Sequence, residues 1–174
     1  MRFSHPKKML REILPKRNVV TLIAANLLAV VPLCQAEISL LELPVKEYKV
    51  GFGDLWIGRN LDKRKVTVQG KETEDYLFAH ASSRVKYDIP AGVSRFEAWG
   101  VRTNGDENVF GSWFYIVKID GKEVFRSKPL VDYETYEIPI SVEIPAGSKE
   151  LELVIDNMTN GFADHSIWAL PKFK

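Results

Sequence analysis

Residues 112–127 read SWFYIVKIDGKEVFRS: a nearly unbroken apolar run, an Asp-Gly pair and a second short run rich in strand formers. Asp120-Gly121 supplies two residues that tolerate a left-handed backbone, which a two-residue hairpin turn requires, so 112–121 and 122–127 pair as neighbouring antiparallel strands. The first of them is apolar at almost every position, the pattern of a strand packed on both sides or close to a second sheet. Upstream, SRFEAWGVR (94–102) alternates strictly, with Phe96, Ala98 and Gly100 on one face and Arg95, Glu97, Trp99 and Val101 on the other. Downstream, KELELVID (149–156) alternates again and HSIWALPKFK (165–174) closes the chain. YEIPISVEIP (136–145) reads as an edge strand, because Pro139 has no N–H to give to an interior ladder.

The remaining segments fit the same scheme. LELPVKEYKV (41–50), DLWIG (54–58), KVTVQG (65–70), YLFAHA (76–81) and RVKYDIP (84–90) are short, rich in β-branched or aromatic residues, and bounded by Gly, Pro, Asn or Asp. No stretch supplies the crossover helices that a parallel sheet needs. The expected fold class is therefore all-β, an antiparallel β-sandwich.

The first 36 residues belong to a different class. MRFSHPKKMLREILPKR is basic, NVVTLIAANLLAVVPL is apolar, and Cys34-Gln35-Ala36 places small residues at −3 and −1 of a cleavage point. This is the pattern of a secretory signal peptide over 1–36, with 37–174 as one exported domain, whether extracellular, periplasmic or at the cell surface. The competing reading is a retained anchor; an apolar run of about sixteen residues interrupted by Pro32 is short for a membrane span. The leader takes six of the 24 Lys and Arg and one of the 23 Asp and Glu, leaving 18 against 22. The remaining domain is acidic and has no basic stripe, which argues against nucleic acid as a partner. Cys34, the one cysteine, leaves with the leader, so the domain relies on its core rather than on disulfides.

Beyond the leader there are two histidines, His80 in FAHASSRVKYDIP and His165 in DNMTNGFADHSIW. Residues 157–168 crowd Asn, Thr, Gly, Asp, His and Trp between two strand-like runs, the groups that hydrogen-bond sugar hydroxyls beside an aromatic face. Asp164, next to His165, could fix its imidazole tautomer; the alternative is that both satisfy backbone groups of the last loop. His80 shares a face with Tyr76 and Phe78, which leaves an inward, backbone-bonded histidine as its alternative. Trp113 begins the most apolar strand and reads as core. Trp99 alternates with Arg95 and Glu97 and is the tryptophan best placed for half exposure, while Trp168 lies between core and site and Trp56 stays undecided. Asn104, with Arg102, Asp106, Glu107 and Asn108, forms a polar loop that is either a binding rim or a solvated turn. Its acids offer calcium the oxygen ligands it takes, although without the EF-hand spacing.

An enzyme has little to stand on here. There is no nucleophile elbow, and no carboxylate pair stands out for glycoside hydrolysis. Two histidines without cysteine do not make a zinc site.

In order along the chain, FAHASSRVKYDIP, RFEAWGV, WFYIVKIDGKEVFRSKPL, SVEIPAGSKELELVIDN and GFADHSIWALPKF resemble the NPCBM family of carbohydrate-binding modules, from about Leu40 to Lys174. The resemblance implies a secreted jelly-roll, galactose-binding-like sandwich that binds galactose-containing glycans without catalysis. It points to His80, Asp164, His165 and Trp168 as the residues to carry over, and to a secreted glycoside hydrolase as a partner in trans. The chain departs from the family at Gly100-Val101-Arg102, where relatives follow Gly-Val or Gly-Ile with Asp; a cation cannot replace that carboxylate. The second reading, from another class, is a structural or protein-interaction sandwich that keeps the scaffold without the sugar.

Overall fold

The computed structural model describes residues 37–58, 65–102, 111–130, 137–158 and 165–174. Thirteen strands run through them: β1 (Ile38–Ser39), β2 (Glu47–Lys49), β3 (Trp56–Ile57), β4 (Val66–Val68), β5 (Lys71–Thr73), β6 (Tyr76–His80), β7 (Ser83–Asp88), β8 (Arg95–Arg102), β9 (Trp113–Ile119), β10 (Lys122–Arg126), β11 (Glu137–Glu143), β12 (Glu150–Asn157) and β13 (His165–Phe173). One sheet has the order β11-β8-β13-β6-β3, with β1 added beside the end of β13; the other has the order β10-β9-β12-β7-β2; β4 and β5 form a hairpin of their own. Every ladder is antiparallel. The expected all-β sandwich is the observed one.

The two sheets close on a core of Leu77, Val85, Tyr87, Phe96, Trp113, Tyr115, Leu153, Trp168 and Phe173, all but fully buried. Burial of each such side chain contributes about 1.5–3 kcal/mol. Alternation along β8 sends Phe96, Ala98 and Gly100 into this core, as the sequence requires. Gly100 is glycine because the ring of Tyr115 occupies the space of a β-carbon, whose nearest contact would be 2.7 Å. The Tyr115 hydroxyl then donates to Val101 O at 2.7 Å and accepts from Ile167 N at 3.3 Å, which ties the two sheets together through a buried hydroxyl.

The turn at Asp120 and Gly121, at φ 50° and 77°, is the expected left-handed pair. Asp120 also accepts hydrogen bonds from the N–H groups of Lys149 and Glu150, at 2.9 and 3.0 Å, which hold its carboxyl below the usual range and pin the β9–β10 turn to the start of β12. β11 lies at a sheet edge with Pro139 opposite Trp99, as its proline demands.

Two segments depart from the sequence reading. The sequence predicts a strand over 41–50, yet Leu40–Glu42 is a 3-10 turn capped by the Ser39 hydroxyl, and pairing begins only at Glu47. Pro44, which has no N–H to donate, lies between the two. The second is the β4–β5 hairpin, turned at Gln69-Gly70 with φ 49° and 74°. It lies outside the six-stranded sheet, where Val66 and Val68 pack with Tyr76, Phe78, Val101, Ile167 and Ala169 in a second, smaller core. That cover explains why Val101 is buried although it points away from the sandwich interior. At the tip of the hairpin, Gln69 donates from its backbone and side-chain nitrogens to Glu137 of β11, at 2.9 and 2.7 Å.

Candidate functional site

Antiparallel pairing of β6 with β13 sets His80 directly opposite His165. Both are on the outer face of the six-stranded sheet, where they share parity with Phe78 and Ile167. The imidazoles meet edge to face, with centroids 4.9 Å apart and planes at 79°. Phe78 lies under both, 5.3 Å from His80 and 5.7 Å from His165, and Trp56 of β3 stacks on Phe78 at 5.7 Å.

The loop 50–55 completes the cluster from above. Phe52 is 72% exposed and turns its ring edge-on to His80 at 5.4 Å. This placement is built rather than incidental. Gly51 lies so close to the backbone of Ala81 and Ser82 that any β-carbon would meet Ser82 N at 2.7 Å. Gly53 takes a left-handed φ of 72°. Asp54 accepts from the Tyr48 hydroxyl and the Leu55 N–H, both at 2.8 Å. Below, the Ser82 hydroxyl donates to Asn157 at 2.8 Å and the Ser166 hydroxyl to Ala79 O at 2.6 Å, so the ends of β6, β7, β12 and β13 are fastened to one another.

His80 is 8% exposed, and its Nε2 has no hydrogen-bond partner among the described residues. Burial first, and the neighbouring His165 second, press its pKa down to about 4. A histidine that weakly basic stays neutral at physiological pH, with one ring nitrogen donating and the other accepting. It is a hydrogen-bonding group rather than a proton shuttle.

Of the residues singled out in the sequence, His80 and His165 are thus brought into contact. Trp99 shares their outer face but sits opposite Ala169, about 13 Å along β13 from His165 at the ordinary rise of a strand. Trp168 goes the other way: it is 2% exposed and meets Tyr115 edge-on at 5.0 Å inside the sandwich, out of a ligand's reach. Asn104 and Asp164 lie outside the described residues, as do Asp106 and Glu107, the acids considered for calcium. Among the described residues no group of three His, Cys, Asp or Glu is placed to hold a metal ion. Arg102 shares the parity of Gly100 and points inward. It is buried, its guanidinium lies 4.7 Å over the Trp113 ring, and it donates to Gly111 O. It props the end of the sandwich from within.

Phe52 and Phe78 join the histidine cluster although the sequence does not single them out for it, and Trp56, undecided in the sequence, stacks on its edge. For Phe52 a signal is present: an aromatic between two glycines, in a stretch with no strand period to bury it.

An antiparallel sandwich that carries an aromatic and imidazole cluster on strand ends, with Phe52 added from one adjoining loop, has the architecture of a lectin-like binding module. The chain belongs to the NPCBM/NEW2 domain family, whose profile matches residues 36–174. Solved structures of the same fold include CBM51 from Clostridium perfringens GH95 in complex with methyl-galactose, 22% identical, with a TM-score of 0.71 over 80% of this chain and 100% of that one. Another is CBM51-2 with the INT domains of Clostridium perfringens ZmpB in complex with GlcNAc, 24% identical, with a TM-score of 0.70 over 79% of this chain and 31% of that one. The tandem CBM51 modules of a family 98 glycoside hydrolase from Streptococcus pneumoniae are 22% identical, with a TM-score of 0.64 over 79% of this chain and 46% of theirs. No curated protein matches the chain.

Proposed function

We propose that this protein binds a neutral pyranose of the galactose type, without catalysis, at the end of the sandwich where Phe52, His80 and His165 meet. The observation that carries this reading is the exposed Phe52 ring set edge-on to a buried, neutral His80 that pairs with His165. A galactose ring is amphipathic: its axial hydroxyl gathers C–H groups onto one face, which lies against an aromatic ring while the rim hydroxyls reach polar side chains. His80 Nε2 is itself enclosed, so in this reading the half-buried His165 meets the sugar hydroxyl and His80 sets the orientation of its ring. The solved modules bound to methyl-galactose and to GlcNAc support a neutral sugar as the ligand class.

In the same reading residues 1–36 are a leader removed on export, and the exported domain holds a glycan for a glycoside hydrolase acting in trans. The mass of the protein recovered from its host tests the first part, since a retained leader moves the domain to the membrane surface. A glycan array tests the second, followed by calorimetry on the best ligand with Phe52→Ala. Lost binding with an unchanged melting curve is the expected result. An array without a single neutral-sugar ligand would leave the scaffold as a structural or protein-interaction module.

A further inference from the structure

On the same outer face, across the β4–β5 hairpin from the histidines, lies a cleft of about 240 Å³ walled by Glu97, Trp99, Pro139, Ser141, Leu170 and Lys172. Its shape comes from two departures from regular strand. Pro139 stands opposite Trp99 on the edge strand, which leaves the half-buried indole bordered by a small ring instead of a long side chain. On the other side β13 shifts register between Ala169 and Lys172, and Leu170 is thrown outward at φ 50°. A leucine rarely takes that backbone region, and here it is held there by donating its N–H to Asp75 O at 2.7 Å. Backbone held in an unfavourable conformation by its surroundings marks positions that serve more than packing.

The polar rim fixes the class of ligand. Lys172 pairs with Glu37 at 2.7 Å, Lys174 with Glu97 at 2.8 Å, and Arg95 with Glu143 at 2.9 Å. Each cation at the cleft already has its carboxylate, so an acidic sugar would find no unanswered positive charge. Ser141 accepts from Arg95 at 3.0 Å, which leaves its own O–H to donate outward, and Glu97 keeps lone pairs to accept. An aromatic face, an aliphatic wall, one donor and one acceptor suit a neutral pyranose. The volume is below that of a drug-sized pocket and suits a single ring. We infer that this cleft is a second sugar subsite, separated from the first by the hairpin, so that the module engages two residues of one branched or polymeric glycan. The inference rests on the carbohydrate-binding reading above and extends it from one contact point to two. Tethering through two weak sites raises apparent affinity without any new contact.

The test is a pair of titrations of the full chain followed by nuclear magnetic resonance, one with methyl β-galactoside and one with a neutral galactan oligosaccharide. The oligosaccharide is expected to move the Trp99 indole N–H saturably as well as the histidine end. Trp99→Ala is expected to weaken oligosaccharide binding about tenfold, the scale of one lost aromatic contact, while methyl galactoside at the histidine end binds as before. Because Trp99 also packs against the outer core, Ser141→Ala, at an exposed position of the rim, serves as the variant that removes the donor and leaves that packing alone, and it should weaken the oligosaccharide in the same direction. A Trp99 signal that stays still while the histidine end responds overturns the second subsite and leaves the first. Movement at Trp99 alone removes the histidine site and keeps the cleft. Silence at both ends with every neutral glycan sinks both.

Discussion

His80 carries the most information of any single residue. Its folded pKa of about 4 lies below the ordinary 6.5, so the unfolded chain takes up a proton that the folded one refuses. The sign follows directly: the contribution to stability is complete above about pH 6.5, is lost as pH falls toward 4, and changes no further below that. Its ceiling is about 3 kcal/mol, since each tenfold loss of proton affinity is worth about 1.36 kcal/mol. Denaturation of the wild type and His80→Phe across this window checks it. The difference between the two curves should be pH-dependent there and flat above, which separates His80 from the carboxylates that also protonate in acid. At Phe52 and His165 the expectation concerns binding. Removing either ring should cost about 1–2 kcal/mol of affinity by calorimetry, with Phe52→Ala leaving the melt untouched because its ring is mostly solvent-exposed. Sequence alone could flag both histidines, because each sits in a polar–aromatic cluster beside a strand. It could not pair them, since their contact depends on the register between strands 85 residues apart.

Among the elements, β8 and β9 were the most legible, because β8 alternates strictly, β9 is apolar nearly throughout, and the Asp-Gly turn fixes where β9 hands over to β10. Trp113, fully buried at the start of β9 beneath Arg102, should cost about 3–5 kcal/mol when truncated to Ala. Gly100→Ala makes the opposite error, adding volume where the Tyr115 ring already stands, and should cost about 1–3 kcal/mol. Chemical denaturation resolves both, and a loss well below these ranges would mean the facing has been misassigned. The inward turn of Arg102 was within reach of the same alternation, which puts residue 102 on the face of Gly100. The β4–β5 hairpin was not legible as a cover. Val66 and Val68 alternate like any strand, and nothing local says that they pack on the outside of a sheet instead of within the sandwich. Residues 41–50 mislead for a related reason: apolar spacing around Leu40 and Leu41 suits a strand and a 3-10 turn equally, and the Ser39 cap favours the turn.

At the scale of the molecule, charge is spent on the sheet rather than on the site. The outer face of the five-stranded sheet is laced with ion pairs: Arg84 with Glu47 at 2.9 Å, Lys46 with Asp88 at 2.8 Å, and Lys46 and Lys86 each with Glu150 at 3.1 Å. Such solvent-exposed pairs contribute little stability one by one. Their effect is that, among the described residues, that face is electrically balanced, with no patch of one sign to steer a charged partner. In the proposed reading, recognition at the Phe52–His165 end is accordingly short-range, made of ring contacts and hydrogen bonds that replace bound water, so the net gain per contact is small. A single sugar should bind at about 10⁻⁴ to 10⁻³ M, or roughly −5.5 to −4 kcal/mol. Because no counterions are displaced, that affinity should be nearly the same in low and high salt, as calorimetry at two ionic strengths would record. A steep fall with salt would mean that the ligand is held by charge, which would exclude a neutral pyranose and place recognition on a surface other than the histidine end.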